Sequence, residues 1–340
     1  MADKILVSGA TGLLGSHLLV ELSNTDQKIL ALYRDESTRS EVFSILSYYG
    51  KEAAWDSIEW KKGDVLDTQF LLDVMTDVKQ VYHCAAMVSF DPSDAVQLHK
   101  INVVGTQNMV NAALDNQVSK FLHVSSTATI GNELNGSSIT DEEVKWNNDD
   151  YHNYYAKSKY SSEREVWRGM EEGLNAVIIN PCVIIGPGDP EKSSGAIFST
   201  IANGLKFYTM GGNAFVDARD VAKMMVYLMN SNINNERFLC IGENLTFRDL
   251  FSRISDEIGV KPPSIKASKF MTSLAWRLAK IASILSGKKA KITSESARAS
   301  HKITRFSNQK IKEALNVEFR GIDDAISNTV AYMKLTQKLK

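Results

Sequence analysis

Cysteine is scarce in this 340-residue chain: Cys84, Cys182 and Cys240 are the only three. Their odd number and wide spacing give neither a disulfide framework nor a metal-ligand pattern. Each lies in an apolar run such as VYHCAA or NPCVII, which fits reduced, buried thiols in a cytosolic protein. An excess of one charge sign is also missing. With 39 basic and 40 acidic side chains the formal charge is −1, so no overall attraction to nucleic acid or an acidic bilayer is encoded. Nor is there a long hydrophobic run near the start. MADK leads straight into ILVSGATG, without the apolar region of a signal peptide and too short to span a membrane. The expected location is the cytoplasm, and no internal repeat or low-complexity tract is evident.

What is present is alternation. Six short runs rich in Val, Ile and Leu read as buried parallel strands: 4–8, 28–33, 57–64, 80–86, 120–126 and 175–181. Between them, stretches such as LLGSHLLVELS and VGTQNMVNAALDN repeat apolar residues every three to four positions, as amphipathic helices do. This βαβ rhythm predicts an α/β fold, a Rossmann-type doubly wound parallel sheet. After Pro181 the rhythm breaks into the turn-rich loop GPGDPEKSSG, and beyond Leu245 the chain reads as mostly helical, punctuated by Pro262 and Pro263. The expected division is a nucleotide-binding domain of residues 1–181 plus about 213–242. A smaller, mostly helical substrate domain takes about 182–212 plus 243–340. The segment FVDARDVAKMMVYLM is expected to return to the main sheet as a strand and a helix.

The first strand runs directly into SGATGLLG, with glycines at 9, 12 and 15. A turn without Cβ atoms lets the backbone approach a pyrophosphate, whose charge then sits on a helix N-terminus. Gly9, Thr11, Gly12, Leu13, Leu14 and Gly15 are therefore candidate dinucleotide contacts. The second strand ends ALYRDES. Arg34 there would pair with the 2′-phosphate of NADP, whereas a carboxylate would repel it; the alternative turns Asp35 to the ribose of NAD. Asp64 and Val65 follow the third strand on the adenine side, and the small pair Ala85 and Ala86 ends the fourth, where a cofactor could approach closely.

With GATGLLG, the strand-end AA, the SSTA run and YAKSK in this order, residues 4 to 255 resemble the extended short-chain dehydrogenase/reductase family. HCAAMVSF, NPCVIIGPGD and FVDARDVA look most like its branch of dihydroflavonol reductases and 3β-hydroxysteroid dehydrogenases. The resemblance implies catalysis by Tyr155 and Lys159, which at i, i+4 share one helix face. A phenol of pKa about 10 is a poor base, and a nearby ammonium is expected to lower it. Lys159 would also hold the nicotinamide ribose. The implied third member is a hydroxyl in HVSSTATIG: Thr127, with Ser126 as the alternative register and Ser125 near the nicotinamide. Pro181 and Val183 would approach the carboxamide with their backbone, and Asn102 would either support the site or pack its helix.

Dehydratases of the family carry an acid beside the catalytic threonine; here Ala128 and Thr129 stand there, against that chemistry. The resemblance therefore implies an NADP(H)-dependent reduction of a ketone or aldehyde, or oxidation of the alcohol. A nucleotide-sugar epimerase and a non-catalytic NADP-binding regulator are the alternatives. Met87, Phe90, Phe198, Phe207 and Tyr208 hint at an apolar or aromatic substrate, in a pocket bordered by 90–92, 132–148 and 198–215. Tyr151 would border it too, while Arg219 would meet a substrate phosphate or pair with Asp217 or Asp220. Residues 268–291 form a basic amphipathic segment that either touches a membrane surface or packs over the substrate domain. By family analogy the chain is a monomer or a homodimer.

Overall fold

The computed structural model describes residues 3–131, 139–147, 152–286 and 293–339. The chain lays down strands β1 (Lys4–Ser8), β2 (Lys28–Tyr33), β3 (Glu59–Lys62), β4 (Val78–His83), β5 (Lys120–Val124), β6 (Ala176–Pro181), β7 (Val183–Ile185), β8 (Phe207–Tyr208), β9 (Gly212–Asp217), β10 (Glu236–Cys240), β11 (Glu243–Thr246) and β12 (Ile265–Lys266). Seven form one sheet in the order β10-β6-β5-β4-β1-β2-β3, with every pairing parallel.

A parallel sheet covered on both faces needs apolar side chains on both. In β1, Ile5 and Val7 pack with Leu18 and Leu22 of the Leu13–Leu22 helix, while Leu6 between them faces Val81 and Phe121 in a second core layer. Consecutive residues serve opposite layers, as the pleat requires. The order reverses at β1, where β4 lies on one side and β2 on the other, so the crevice of a doubly wound sheet opens past the ends of β1 and β4. The fold is therefore the Rossmann-like α/β architecture expected from the sequence, with a mostly helical C-terminal region.

One expectation is corrected. The strand in FVDARDVA, β9, does not join the main sheet; it pairs parallel with β7 and antiparallel with β11 in a separate three-stranded sheet. The strand that returns is β10, which continues the main sheet beyond β6, while the helix Ala218–Asn230 packs on the first helix and under β5 and β6. Both ERFLC and GNAFVD are short buried runs, and short apolar periodicity cannot say which sheet a strand will join.

Candidate active site and nucleotide cleft

The turn after β1 is built for close approach. Gly9 has φ +67°, and a Cβ placed there would lie 2.6 Å from the Ala85 amide nitrogen; a Cβ on Gly15 would lie 2.2 Å from the Gly9 carbonyl oxygen. Turn, strand end and helix start therefore meet with no side chain between them. Gly12 is the N-cap of the Leu13–Leu22 helix and provides no side-chain cap, which leaves the first N–H groups and the positive end of the dipole open to an anion. Ala85 and Ala86 lie just past β4, and the Ala85 amide donates to Ser8 Oγ at 3.3 Å.

A cleft of about 270 Å³ opens beside this turn, lined by Thr11, Gly12, Leu13, Ser37, Thr38 and Lys192 among others. Just past the end of β2, Arg34 is exposed and lies 3.8 Å from Asp64, a contact that solvent makes weak. Asp35 is occupied: its carboxylate accepts from the Ser37 amide at 3.0 Å and the Ser37 hydroxyl at 2.8 Å. These bonds, with Lys62 and Lys192 nearby, hold it below the usual carboxylate range. Asp64 accepts from the Leu66 amide at 3.0 Å, and Val65 is buried. Open glycine backbone, an uncapped helix start, hydroxyls and an exposed guanidinium fit a nicotinamide dinucleotide.

Across the sheet, the helix Tyr154–Glu171 starts at Asn153, whose side chain accepts from the Ala156 amide. Tyr155 lies in its first turn, with its phenol near the Ser126 hydroxyl. The hydroxyl that meets Tyr155 is thus that of Ser126, the alternative register, whereas Thr127 is buried at the start of a tight turn. Ser126 is extended (φ −161°, ψ 152°) and caps that turn by accepting from the Ala128 amide at 3.2 Å. Successive side chains of an extended exit point to opposite sides, so only one of the two can face the helix.

Lys159 is 2% exposed and donates to the Val124 carbonyl at 2.7 Å. Burial lowers its pKa to about 8, against the pull of Glu163 and Cys84. For Tyr155 the expectation of a lowered pKa is corrected: burial raises it, and the nearby Ser126 hydroxyl opposes that rise. The ring of Phe90 packs edge-on to Tyr155 at 5.7 Å between centroids.

Sequence reasoning passed over Glu163, which is 2% exposed. Its Oε2 accepts from Ser125 Oγ at 2.6 Å, Asn180 Nδ2 at 2.8 Å and Thr129 Oγ1 at 2.9 Å, and its Oε1 from Trp167 and Arg237, each at 3.3 Å. Glu163 is one further i+4 step along the Tyr155–Lys159 face, a spacing that alone does not tell a buried carboxylate from a solvated one. Asn102 sits in a π-type turn at His99–Val104. Its side chain bonds both the amide and the carbonyl of Met87, at 2.7 and 2.9 Å, and Ser158 Oγ at 2.9 Å. It supports the site, joining the loop before Phe90 to the Tyr155 helix.

Other candidates disperse. Phe198 is 1% exposed in a core with Phe215 and Leu250, so it is not a pocket residue, while Phe207 is exposed and Met87 half-buried. Arg219 pairs with Asp217, its Nε donating at 3.0 Å; Asp220 pairs with Arg320. Lys157 is exposed, with its ammonium over the Tyr154 ring, and Tyr160 stacks on Trp146. Pro181 ends β6, and Val183 starts β7. Burial raises all three thiols, Cys84 to about 12, so none is poised as a thiolate. Tyr151 and residues 132–138 and 148 of the 132–148 segment lie outside the described residues.

A doubly wound sheet with an open glycine turn at its switch point, and Tyr155 and Lys159 on one face of the helix beside it, is the architecture of an NAD(P)-dependent oxidoreductase of the extended short-chain type. A family model described as the NAD dependent epimerase/dehydratase family matches residues 5–242, and the chain belongs to that family. It is 29% identical over 262 residues to a sterol demethylase protein B of Methylococcus capsulatus, covering 76% of each chain. It is 24% identical to a putative dihydroflavonol 4-reductase of Synechocystis, covering 98% of this chain and 95% of that one. With cinnamoyl-CoA reductase 1 of Petunia hybrida the identity is 25%, over 96% and 90%. These relatives place the chain in the dihydroflavonol reductase and 3β-hydroxysteroid dehydrogenase-like branch. Among solved structures, that of gox2253 superposes with a TM-score of 0.82 at 28% identity, covering 99% of this chain and all of that one. UDP-glucose 4-epimerase of Thermotoga maritima gives 0.78 at 17%, over 98% and 99%, and shares the fold. No helix among the described residues is long and apolar enough to cross a membrane.

Proposed function

We propose that the protein is an NADPH-dependent reductase of a ketone or aldehyde carbonyl on a small apolar or aromatic substrate, with Ser126, Tyr155 and Lys159 as its reacting set. The observation that carries this reading is the Tyr155 phenol beside the Ser126 hydroxyl, with the buried Lys159 ammonium one turn along the same helix face. A bound dinucleotide supplies the hydride. The phenol, kept protonated by burial, donates its proton to the substrate oxygen as charge develops there. Ser126 holds the same oxygen through its hydroxyl. Lys159, fixed by the Val124 carbonyl, presents its charge to the phenolate that forms and its N–H groups to the cofactor ribose. Phe90 shields the phenol and gives the substrate an apolar wall.

The preference for NADPH rests on Arg34, exposed just past β2 and only weakly paired with Asp64, and on Asp35, whose Oδ1 is taken by Ser37. Reduction is favoured over epimerisation of a nucleotide sugar because Arg219, the candidate for a substrate phosphate, is held by Asp217. The cofactor turn is carried by residues 1–181, with 186–195 lining the cleft beside it, and the substrate is assigned to the side built by the rest of 182–212 and 243–340. The test is to titrate NADPH and NADH by quenching of protein fluorescence and follow NADPH oxidation with a panel of aryl and alkyl ketones. NADPH binds at least about tenfold tighter than NADH, and Tyr155→Phe retains that binding while turnover falls by about 10²-fold or more. An active Tyr155→Phe variant sinks the mechanism; equal affinities sink the cofactor assignment.

A further inference from the structure

Residues 258 to 294 contain no Asp or Glu, but eight Lys and Arg. This basic stretch belongs to a chain whose formal charge is −1, so acids elsewhere balance it and the positive charge is local. At its centre is the helix Lys269–Ser286, whose sidedness is inverted. Thr272, Ala275, Trp276 and Ala279, which fall on one side at 100° per residue, are half-buried. Thr272 also hydrogen-bonds His301 at 2.9 Å. On the opposite side Phe270, Leu274 and Leu278, spaced i, i+4, i+8, are 77%, 49% and 57% exposed. Met271 adjoins them at 39%. A helix serving only the core would bury its large apolar residues and expose its small and polar ones. Here Trp276 turns to the protein with Thr272, Ala275 and Ala279, while Phe270, Leu274 and Leu278 face out.

Lys269, Arg277 and Lys280 lie along one border of the outward stripe and are exposed. An outward apolar stripe bordered by cations is the pattern of an interfacial helix. A second copy of this chain would bring a second Lys269, Arg277 and Lys280 against the first, so the charge argues against self-association. An anionic bilayer surface answers both features: headgroups pair with Lys and Arg while the acyl boundary takes up Phe270, Leu274 and Leu278.

We propose that the Lys269–Ser286 helix docks the protein peripherally on anionic lipid bilayers, leaving the nucleotide cleft in water. The test is flotation of the full chain with vesicles of phosphatidylcholine alone and of phosphatidylcholine with a quarter phosphatidylglycerol. The protein floats with the anionic vesicles, about tenfold more weakly with the neutral ones, and loses that excess in half-molar salt. The triple variant Phe270→Ser, Leu274→Ser, Leu278→Ser loses at least about tenfold in partitioning, with a melting temperature close to that of the wild type, because these side chains are largely exposed. Failure to float with anionic vesicles overturns the proposal, as does equal flotation of the triple variant. A dimer in sedimentation equilibrium that the variant dissociates, without flotation, assigns the face to a second copy and overturns it as well. None of these readouts depends on turnover, so the reductase reading stands or falls separately.

Discussion

Ser126 and Thr127 differ by one position and one methyl group, yet the fold gives them different surroundings. Ser126 leaves β5 extended and meets the Tyr155 phenol; Thr127 turns inward. Replacing Ser126 by Ala removes one donor to the substrate oxygen and lowers kcat/KM by about 10²-fold. Thr127→Val keeps the shape of a buried residue and leaves kcat/KM near that of the wild type. Steady-state kinetics of the two variants decide between the registers, and a collapse confined to Thr127→Val would reverse the assignment. The sequence contained both hydroxyls in plain view; what it lacked was the direction of each side chain, which depends on where the strand ends.

At the scale of the element, the Tyr154–Glu171 helix arranges proton donor, cation and buried carboxylate in successive turns at 155, 159 and 163. The Lys159 ammonium, pushed down to about 8 by burial, is supported by the Glu163 charge. Deprotonation above that value should therefore reduce kcat/KM. Glu163→Gln removes the support, and the alkaline limb of the pH profile moves to lower pH, whereas a purely structural role would lower activity without moving it. The motif pair was legible from its spacing, as were the six strands of the glycine-turn half, because a parallel sheet buried on both faces writes itself as apolar runs. Glu163 was not, since a carboxylate on an amphipathic helix looks solvated until the hydroxyls of Ser125 and Thr129 and the Asn180 amide close around it. The placement of β9 and β10 was hidden for a related reason: sheet membership is decided by contacts distant in sequence.

For the whole molecule, acid is the weak side. His17 and His83 are buried and neutral, with pKa values lowered to about 4 and about 3, chiefly by burial. The unfolded chain binds protons at these groups from about pH 6.5 downward while the folded one does not. Their contribution is therefore intact above about 6.5 and is lost as pH falls toward the folded values, at up to about 1.4 kcal/mol per pH unit for each histidine. Urea melts at pH 7 and pH 5 should show the midpoint falling with little change in slope. An unchanged midpoint would mean that other groups compensate.

The Asn102 amide has a consequence for the backbone near it. Beyond His83 the chain leaves the ladder of β4, yet Met87 gives its N–H to Asn102 and receives an N–H in return. One side chain thus supplies both bonds that a neighbouring strand would have supplied, and it is anchored to the Tyr155 helix through Ser158. In deuterium exchange the Met87 amide should be as slow as those of a strand, although it lies in a loop. Asn102→Ala should release it together with the segment that carries Phe90.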